Sequence, residues 1–368
     1  MSRPFAVIAG GGTAGHVQPA LAVADALVAS GHPAASLLFV GSRRGLEARL
    51  VGEAGYEAVL LPGRGIPRRL SLEGLEGAVG LVAATVAALV LFVRRRPRVV
   101  LAVGGYASLP CAVAAAVLRV PLVLAEQNAV PGSVNRLVGR FARAAAVALP
   151  GTDLPRAVLT GNPVRPEIEA IDRGEAARRR AKVELGVPPE RRLLLVTSGS
   201  LGARRINQAV VELARRWRDR SDLAVHHVIG SRDWAELSGA VEPGGALHYR
   251  AVEYEGRMPT ALAAADLVLG RAGGSTVSEL AVAGVPAVMV PLPIAPNDHQ
   301  TANARALVDA GAGVIVPDAE CDADRLEALV DGLLGDPDRL AAMGEAARGV
   351  GRPGAARRVA ELVLEAAA

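Results

Sequence analysis

The chain alternates short apolar segments with longer segments that have a helical period. The apolar segments hold three to six residues, mostly Val, Leu, Ile or Ala, and they show no alternation of polar and apolar positions. Such segments are typical of parallel strands that are buried on both faces of a sheet. The pattern predicts these strands: Phe5–Ala9, Leu37–Val40, Ala58–Leu61, Val99–Ala102, Leu122–Ala125, Ala145–Ala148, Leu193–Thr197, Ala224–Ile229, Leu267–Leu269, Ala287–Val290 and Gly313–Val316.

This alternation of strand and helix is interrupted once. After Gly161-Asn162-Pro163, a polar and Arg-rich segment, Glu167–Leu185, predicts a helix, and strand-like segments then resume. The sequence therefore predicts an α/β fold of two doubly wound, Rossmann-like parallel-sheet domains, with residues 1–163 in the first and 164–349 in the second. A last helix within 350–368 is expected to pack back on the first domain.

The composition is that of a folded chain with a large core. Of 368 residues, 51% are hydrophobic and 21% are charged, which excludes an intrinsically disordered chain. Aromatic residues make up only 3%, too few for base-stacking surfaces, so no nucleic-acid partner is expected. The two cysteines, Cys111 and Cys321, lack metal-ligand spacing. The net charge of +4 is uneven, because residues 1–165 carry +9 and the remainder carries −5.

The first glycine-rich loop, 10–16 (GGGTAGH), lies between strand Phe5–Ala9 and a predicted helix, Pro19–Ser30. Glycines allow backbone N–H groups to approach a phosphate, and a helix N-terminus adds positive potential. The loop also fits the G-x-G-x-x-G dinucleotide pattern, but Arg43 and Arg44 follow the second strand where an acidic residue is expected. An NADP-binding interpretation therefore stays open.

Two further glycine-rich loops separate a strand from a helix in the second domain. Residues 197–207 (TSGSLGARRIN) combine small residues with hydroxyls, which suits a pyrophosphate ligand or, alternatively, tight packing of a strand on a helix. Residues 271–279 (RAGGSTVSE) could hold phosphate oxygens at a helix N-terminus, with Glu279 accepting hydrogen bonds from two ribose hydroxyls. The alternative for this loop is a capping box that joins Ser275 or Thr276 to Glu279.

Polar residues also cluster at the starts of three more helices. A proline-rich loop leads to a helix whose first turn offers His299, Gln300 and Asn303 on one face. Two Asp-x-Asp triplets, 322–324 and 336–338, each run into Arg-Leu and a helical segment. This shared context indicates helix N-caps and not metal ligands, so no metal site is expected.

The segment Ala78–Val93 is uncharged and nearly all apolar. As a helix its 16 residues reach about 24 Å, short of the roughly 30 Å hydrocarbon core, so a membrane span is not expected. Flanking arginines favour reversible docking on an anionic membrane surface, and burial within the domain is the alternative. The expected membrane contacts are Leu81, Leu89, Leu91, Phe92, Arg94, Arg95 and Arg96.

Seven motifs in this order resemble the GT-B glycosyltransferases, and within them the N-acetylglucosaminyltransferases of bacterial cell-wall synthesis. The resemblance extends from residue 5 to about 316. Ala14 is a departure, because the family usually has glycine at this position. The matching segments are 11–16 with 19–22, 104–108, 126–128 with Asn135, 161–165, 199–204, 273–279 and 299–303.

The resemblance implies two domains that face each other across a cleft and divide the substrates between them. The C-terminal domain would bind UDP-GlcNAc, and the N-terminal domain would bind a lipid-linked acceptor. The residues implied for UDP-GlcNAc are Thr13, Ala14, Gly15, Asn128, Arg165, Ser200, Gly273, Ser275, Thr276, Glu279, Gln300 and Asn303, with Tyr254 as a further candidate for the uracil. Those implied for the acceptor are Gly11, Gly12, Tyr106 and Asn135.

The activity implied is transfer of GlcNAc from UDP-GlcNAc to the MurNAc 4-hydroxyl of undecaprenyl-pyrophosphoryl-MurNAc-pentapeptide (lipid I), with inversion, to give lipid II. Such a transfer needs a base for the acceptor hydroxyl but no covalent nucleophile, and no cofactor or obligatory metal is expected. His16 is the first choice for the base, because histidine accepts protons near neutral pH. Glu126 is the alternative base, and a polar contact at the helix terminus is the non-catalytic interpretation of His16.

The resemblance also implies a peripheral enzyme on the cytoplasmic face of the bacterial cell membrane. The half of the chain with charge +9 would face the anionic inner leaflet, and other cell-wall synthesis enzymes are candidate protein partners. Two alternatives stay open. The first is another GT-B sugar-nucleotide enzyme, such as a different lipid-directed glycosyltransferase or a UDP-GlcNAc epimerase, and the second is a non-catalytic nucleotide-binding scaffold at the membrane.

Overall fold

A computed structural model describes residues 3–11, 14–42, 47–62, 72–105, 107–241 and 244–368. The chain divides into two compact units. Unit 1 comprises Met1–Arg165 together with Pro353–Ala368, and unit 2 comprises Pro166–Arg352. Each unit is built around one parallel sheet with helices on its faces, so the predicted fold class of two Rossmann-like α/β domains is confirmed.

The sheet of unit 1 has seven parallel strands in the order β3-β2-β1-β4-β5-β6-β7. Its strands are β1 (Ala6–Ala9), β2 (Leu37–Ser42), β3 (Glu57–Leu61), β4 (Val99–Ala102), β5 (Leu122–Glu126), β6 (Ala144–Val147) and β7 (Ala157–Leu159). Its helices are α1 (Ala14–Ala29), α2 (Glu47–Glu53), α3 (Leu72–Arg95), α4 (Ser108–Leu118), α5 (Ser133–Val138) and, from the C-terminus, α15 (Ala355–Ala367).

The central strands of unit 1 are buried on both faces, as their uninterrupted apolar sequences predict. All four residues of β1 and of β4 are buried. One core lies between the sheet and helices α1 and α15, where Val359 and Val363 are fully buried. The Arg358 guanidinium donates two hydrogen bonds, of 2.9 and 2.6 Å, to the Thr160 carbonyl oxygen. The C-terminal helix is therefore part of unit 1 although 187 residues separate it from the rest of that unit.

The sheet of unit 2 has six parallel strands in the order β10-β9-β8-β11-β12-β13. Its strands are β8 (Arg192–Thr197), β9 (Leu223–Val228), β10 (His248–Val252), β11 (Leu267–Gly270), β12 (Ala287–Met289) and β13 (Gly313–Ile315). Its helices are α6 (Pro166–Glu169), α7 (Glu175–Glu184), α8 (Arg204–Arg216), α9 (Trp234–Leu237), α10 (Met258–Ala264), α11 (Gly274–Ala283), α12 (His299–Val308), α13 (Ala323–Leu334) and α14 (Pro337–Val350).

All eleven predicted strands are present, but two edge strands were not predicted. β7 has only three residues and all are exposed, and β10 is half-buried and contains His248 and Arg250. β10 therefore lacks the uninterrupted apolar sequence on which the prediction depended, whereas β7 is apolar but has only three residues. The single helix predicted over Glu167–Leu185 is also wrong, because Asp172 Oδ1 accepts a 2.7 Å hydrogen bond from the Gly174 N–H and Gly174 is the N-cap of α7.

Candidate functional site

The first candidate site lies at the carboxyl edge of the unit 1 sheet, where three adjacent strands end. Gly10 and Gly11 follow β1, residues 103–105 follow β4, and Gln127 follows β5. In open parallel sheets, ligands bind at this edge. The Gln127 amide nitrogen donates a 3.1 Å hydrogen bond to the Val103 carbonyl oxygen, so the loop after β5 supports the loop after β4.

The loops after β1 and β4 are in direct backbone contact. The Gly11 N–H donates to the Gly104 carbonyl oxygen at 3.2 Å. A Cβ atom on Gly105, which has φ of +80°, would lie 2.2 Å from the Gly11 carbonyl oxygen. Only glycine permits this approach, because a side chain at Gly105 would overlap a backbone atom and would also strain its own φ. The close contact holds the loops after β1 and β4 together at the candidate site.

His16 lies beside this contact in the first turn of α1, and it is half-buried. A Cβ atom on Gly104 would lie 3.1 Å from His16 Cδ2 and 3.2 Å from His16 Nε2, so the imidazole rests directly against the Gly104 backbone. The glycine thus leaves space for the ring at the edge where the three strands end. Gly15 is half-buried and Gly11 is buried. The predicted contacts Gly12, Thr13 and Tyr106, and the side chain of Ala14, lie outside the described residues.

Glu126 ends β5 and is only 4% exposed. Its Oε1 accepts hydrogen bonds from the backbone N–H and the side-chain amide of Asn128, at 3.0 and 3.1 Å. Its Oε2 accepts from the Gly132 N–H and the Asn135 amide, both at 2.9 Å. A carboxylate has about four lone-pair sites, and these four donors occupy them. Glu126 therefore organises the loop before α5, and this geometry argues against its assignment as the alternative base.

Asn135 and Asn128 belong to the same network as Glu126. Asn135 is 2% exposed, and its amide nitrogen also donates to the Ala125 carbonyl oxygen at 3.2 Å. The expectation that Asn135 contacts the acceptor is therefore corrected: it is a positioning residue that acts through Glu126. Asn128 is half-buried at the edge of the network, where it remains a candidate for substrate contact.

The second candidate site lies at the carboxyl edge of the unit 2 sheet. Residues 198–202 follow β8, and a Cβ atom on Gly202 would lie 1.9 Å from the Ile229 carbonyl oxygen. The packing interpretation of this loop is therefore correct for Gly202, although the neighbour is the loop after β9. Ser200, in contrast, is exposed, and its carbonyl oxygen accepts a 3.1 Å hydrogen bond from the Ser231 N–H. Ser200 thus remains accessible to a ligand.

The third glycine-rich loop ends at the start of α11. This helix begins at Gly274 with Gly273 as its N-cap, so Ser275 and Thr276 lie inside the first turn. The capping-box alternative is wrong, because the N-cap residue has no side chain. The first N–H groups of a helix have no acceptor within the helix, and they carry partial positive charge toward this edge of the sheet. Glu279 lies one turn further along and is half-buried.

The first turn of α12 supports the third loop. Gln300 Oε1 accepts hydrogen bonds from the Ala272 and Leu292 N–H groups, at 3.2 and 3.0 Å. The Asn303 amide donates a 3.1 Å hydrogen bond to the Ala272 carbonyl oxygen, and Asn303 is fully buried. The expectation that Asn303 contacts the sugar is therefore corrected, because it positions Ala272 instead. Gln300 is half-buried, and it remains a candidate for ligand contact.

Arg271 is a positioning residue that the sequence analysis did not single out. Its guanidinium donates to the carbonyl oxygens of Val290 and Pro291, at 3.0 and 3.2 Å, and pairs with Asp318 at 2.6 Å. It thereby joins the loops that follow β11, β12 and β13. Its position directly after a buried strand was the available signal. Of the other expected contacts, Arg165 is half-buried at the end of the first part of unit 1, and Tyr254 is 70% exposed shortly after β10.

Both Asp-x-Asp triplets contain helix N-caps, as predicted. Asp322 accepts a 2.9 Å hydrogen bond from the Arg325 N–H at the start of α13, and Asp336 accepts a 3.0 Å hydrogen bond from the Arg339 N–H at the start of α14. Across the described ranges, no group of three or more His, Cys, Asp or Glu side chains has the geometry of a metal site.

Helix α3 is longer than the uncharged segment from which it was predicted. Its 24 residues reach about 36 Å, so the length argument against a membrane span was wrong. By length and composition Gly77–Arg95 could cross a membrane, with a mean hydropathy of 2.1. However, Ala84, Ala88 and Phe92 on one side of α3 are buried in the core of unit 1. The helix therefore has one packed side.

The opposite side of α3 is exposed and almost entirely valine. Its residues, which we call the valine face, are between 45% and 65% exposed: Val79, Val82, Val86, Val90 and Val93. Two expected membrane contacts are corrected, because Phe92 is in the core and Arg95 is 6% exposed and paired with Glu57. Arg94 and Arg96 are exposed beside the valine face. The other expected contacts, Leu81, Leu89 and Leu91, are half-buried.

Comparisons with known proteins agree with this architecture. Models of the glycosyltransferase family 28 N-terminal and C-terminal domains match residues 6–147 and 193–359. The chain is 45% identical, over 98% of its length and 97% of the relative, to a UDP-N-acetylglucosamine–N-acetylmuramyl-(pentapeptide) pyrophosphoryl-undecaprenol N-acetylglucosamine transferase of Nocardioides. It is 43% identical to the transferase of the same name from Clavibacter sepedonicus, over 98% and 96% of the two chains.

Among solved structures, the chain resembles MurG of Acinetobacter baumannii. The TM-score is 0.77 at 28% identity, and the match covers 99% of this chain and 100% of that one. The resemblance to GT-B glycosyltransferases of cell-wall synthesis that the motifs indicated is thereby confirmed. With both domain models matched in order along one chain, the protein belongs to glycosyltransferase family 28.

Proposed function

We propose that this chain transfers GlcNAc from UDP-GlcNAc to the MurNAc 4-hydroxyl of lipid I, with inversion at the anomeric carbon, to give lipid II and UDP in peptidoglycan synthesis. The observation that carries the proposal is full-length similarity, at 43–45% identity, to transferases of this name. The two sheet edges supply what the chemistry needs: a helix N-terminus suited to a diphosphate in unit 2, and a histidine between glycine-rich loops in unit 1.

In this proposal unit 2 binds the donor. The diphosphate lies against the N-terminus of α11, where Gly273, Ser275 and Thr276 supply backbone and hydroxyl donors. Ser200 reaches the diphosphate from the loop after β8, and Glu279 accepts hydrogen bonds from the ribose hydroxyls. Gln300, already fixed to the Ala272 loop, directs its amide nitrogen to the GlcNAc ring, and Tyr254 offers an aromatic face to the uracil. Departure of UDP is stabilised by the α11 terminus and by Arg165, without a required metal ion.

Unit 1 binds the acceptor and supplies the base. Gly11, Gly12 and Tyr106 are the proposed contacts of the acceptor diphosphate, whereas Thr13, Ala14, Gly15 and Asn128 are proposed to contact UDP-GlcNAc. His16 takes the proton from the attacking 4-hydroxyl. The support for His16 over Glu126 is geometric: the imidazole is half-buried at the sheet edge, whereas the Glu126 oxygens already accept four hydrogen bonds.

We further propose that unit 1 docks on the cytoplasmic face of the cell membrane through the valine face of α3, with Arg94 and Arg96 near anionic headgroups. Five valines that are about half-exposed form a continuous apolar side on one helix. A contiguous exposed apolar surface of this kind is typical of an interaction site. The charge of +9 in residues 1–165 acts in the same direction. The lipid-linked acceptor would then be reached without extraction from the bilayer.

The transfer assay tests the proposed reaction. Purified protein is given labelled UDP-GlcNAc and a short-chain lipid I analogue, and the products are separated. We expect one labelled GlcNAc per acceptor and stoichiometric UDP. Conversion of UDP-GlcNAc to an epimer without acceptor, or binding of UDP with no turnover by folded protein, would favour the alternative classes and remove this proposal.

Glu279→Ala is expected to weaken binding of UDP-GlcNAc about tenfold or more, because two hydrogen bonds from ribose hydroxyls to a carboxylate are lost. The loss should appear in the Kd measured by calorimetry, with the melting temperature nearly unchanged. Asp309→Ala is the matched control, since Asp309 is exposed at the other end of the neighbouring helix α12. Equal affinities for the two variants would refute the role of Glu279.

Val82→Glu combined with Val86→Glu is expected to abolish co-sedimentation with anionic vesicles, because two charges would enter the apolar contact. Val183→Glu is the control, since Val183 is 61% exposed on a helix of unit 2 and matches the exposure of Val82. Without vesicles, the rate of transfer to a short-chain acceptor by the double variant should stay near that of the parent. Undiminished vesicle binding would eliminate the valine face as the docking surface.

A further inference from the structure

A cavity of about 370 Å³ lies in unit 2, at the opposite edge of the sheet from the proposed donor site. Its walls include Arg192, which begins β8, Asp266, which precedes β11, and Pro286, which precedes β12. These residues lie at the amino-terminal edge, whereas the loops proposed for UDP-GlcNAc follow the carboxyl ends. The six residues of β8 separate the two edges by about 20 Å.

The cavity is strongly cationic. Seven of its lining residues are Arg or Lys and four are Asp or Glu. The buried carboxylate, Asp266, is already saturated: it pairs with Arg178 at 3.0 Å and with Lys182 at 2.6 Å, and it accepts a 2.7 Å hydrogen bond from the Leu193 N–H. The single negative charge of Asp266 therefore faces the two positive charges of Arg178 and Lys182, which leaves one positive charge unbalanced in this group.

Further cations of the cavity form no ion pair with the acids of the described residues. Within the described part of the chain, Arg173, Arg179, Arg191 and Arg348 form no ion pair. Arg173 donates instead to the Leu262 and Ala265 carbonyl oxygens, at 2.8 and 2.5 Å. Its pKa is lowered to about 10, first by burial and then by Arg178 and Arg348, while Asp266 acts in the opposite direction. Positive charge is thus concentrated in this part of unit 2.

Two donors of this cluster are buried and unused. The Nε atoms of Arg178 and Arg191 are inaccessible to solvent and have no hydrogen-bond partner among the described residues. Unpaired buried donors of charged groups are costly. Because these two Nε atoms are covered, an anion in the cavity would act on them through the charge of each guanidinium group and not through a direct hydrogen bond. The other three acids, Glu175, Glu190 and Glu345, are exposed and form no ion pair with the cavity arginines in the described ranges. With all four acids counted, the lining keeps an excess of three positive charges.

We propose that this cavity is a second anion-binding site, which takes a small soluble phosphate compound. Planar guanidinium groups on several sides favour phosphate, whose oxygens accept paired hydrogen bonds and which carries up to two negative charges. The volume lies at the lower end of the range for small-molecule sites. The site is independent of the proposed transfer reaction, since no residue proposed for UDP-GlcNAc lines it.

The position of the cavity suggests what occupancy does. Arg173, Arg178 and Lys182 follow the point at which the chain enters unit 2, and Arg348 lies on α14 shortly before the chain leaves it at Arg352. A bound phosphate compound would join the segments at both chain crossings. We therefore expect slower hydrogen exchange in α7 and α14 when the site is filled.

The test uses inorganic pyrophosphate as the probe and the full chain. Calorimetric titration, with and without saturating UDP, should give saturable binding that UDP does not displace. Arg179→Ala and Arg348→Ala should each weaken this binding at least fivefold. The matched controls are Arg180→Ala on α7 and Arg339→Ala on α14, both exposed and outside the cavity, which should change it less than twofold.

Hydrogen exchange supplies a second readout, with protection confined to α7 and α14 in the parent and absent in Arg348→Ala. Melting curves without pyrophosphate verify that each variant is folded. Absence of pyrophosphate binding in saturating UDP, or binding in saturating UDP that the cavity variants and the controls affect equally, would overturn the proposal. Failure of GlcNAc transfer would leave these outcomes unchanged, so the two proposals fail separately.

Discussion

Replacement of His16 by alanine is expected to lower kcat by about 10²- to 10⁴-fold, the range attributed to a general base. The Kd for UDP-GlcNAc should be nearly unchanged, because the His16 side chain is not a proposed donor contact and the ribose and diphosphate contacts Ser275, Thr276 and Glu279 lie in unit 2. The acidic limb of the pH–rate profile should disappear with the imidazole, since that limb reports protonation of the base. Single-turnover kinetics with a short-chain acceptor measure the effect on the chemical step.

His16→Gln provides the control for packing, because it retains a polar side chain against Gly104 but cannot accept the proton. We expect it to be as slow as His16→Ala while melting like the parent. If His16→Ala retained parental kcat, or if its loss of activity equalled its loss of UDP affinity, His16 would be a helix-terminal contact and not the base.

Gly105→Ala is expected to destabilise unit 1 by about 2–5 kcal/mol and to reduce activity with it. A residue with a Cβ at a φ of +80° costs about 1–2 kcal/mol. The new Cβ would also overlap the Gly11 carbonyl oxygen, 2.2 Å away, and overpacking of this kind adds about 1–3 kcal/mol. Because the neighbour is backbone, relief requires the loops that flank His16 to separate.

Gly31→Ala separates the two contributions. Gly31 has a φ of +95° and no atom within 4 Å of its would-be Cβ, so this variant carries the conformational cost without the overlap. Chemical denaturation of both variants gives the comparison, and Gly31→Ala should keep parental activity. Equal free energies of unfolding for the two variants would contradict the close contact between the loops after β1 and β4.

The strands of both sheets could be predicted because burial on two faces requires uninterrupted apolar sequence. β1 and β4 are completely buried, and each was predicted to within one residue. β7 and β10 lie at sheet edges, where β10 carries polar residues and β7 is apolar but only three residues long. Each forms only by pairing with a neighbouring strand, and this pairing cannot be predicted from the sequence of the edge strand alone.

The chemical character of the site loops was predictable, but the direction of each polar side chain was not. A buried asparagine that holds a loop and one that contacts a sugar have the same local sequence, and only packing places Asn135 and Asn303 among backbone carbonyls. For α3 the sequence is apolar all round, so its helical phase was undetermined. In the structure, Phe92 lies in the core of unit 1 and the valine face is exposed.

The stereochemistry of the product tests the central claim most directly. The protein is incubated with UDP-GlcNAc and a short-chain lipid I analogue. The proton coupling at the anomeric carbon then gives the configuration of the new glycosidic bond, and its attachment position on MurNAc is determined from the same product. The account predicts a single product in which GlcNAc is β-linked to the 4-hydroxyl of MurNAc, formed with one UDP per transfer. An α-linked product, or release of UDP without any disaccharide, would contradict it.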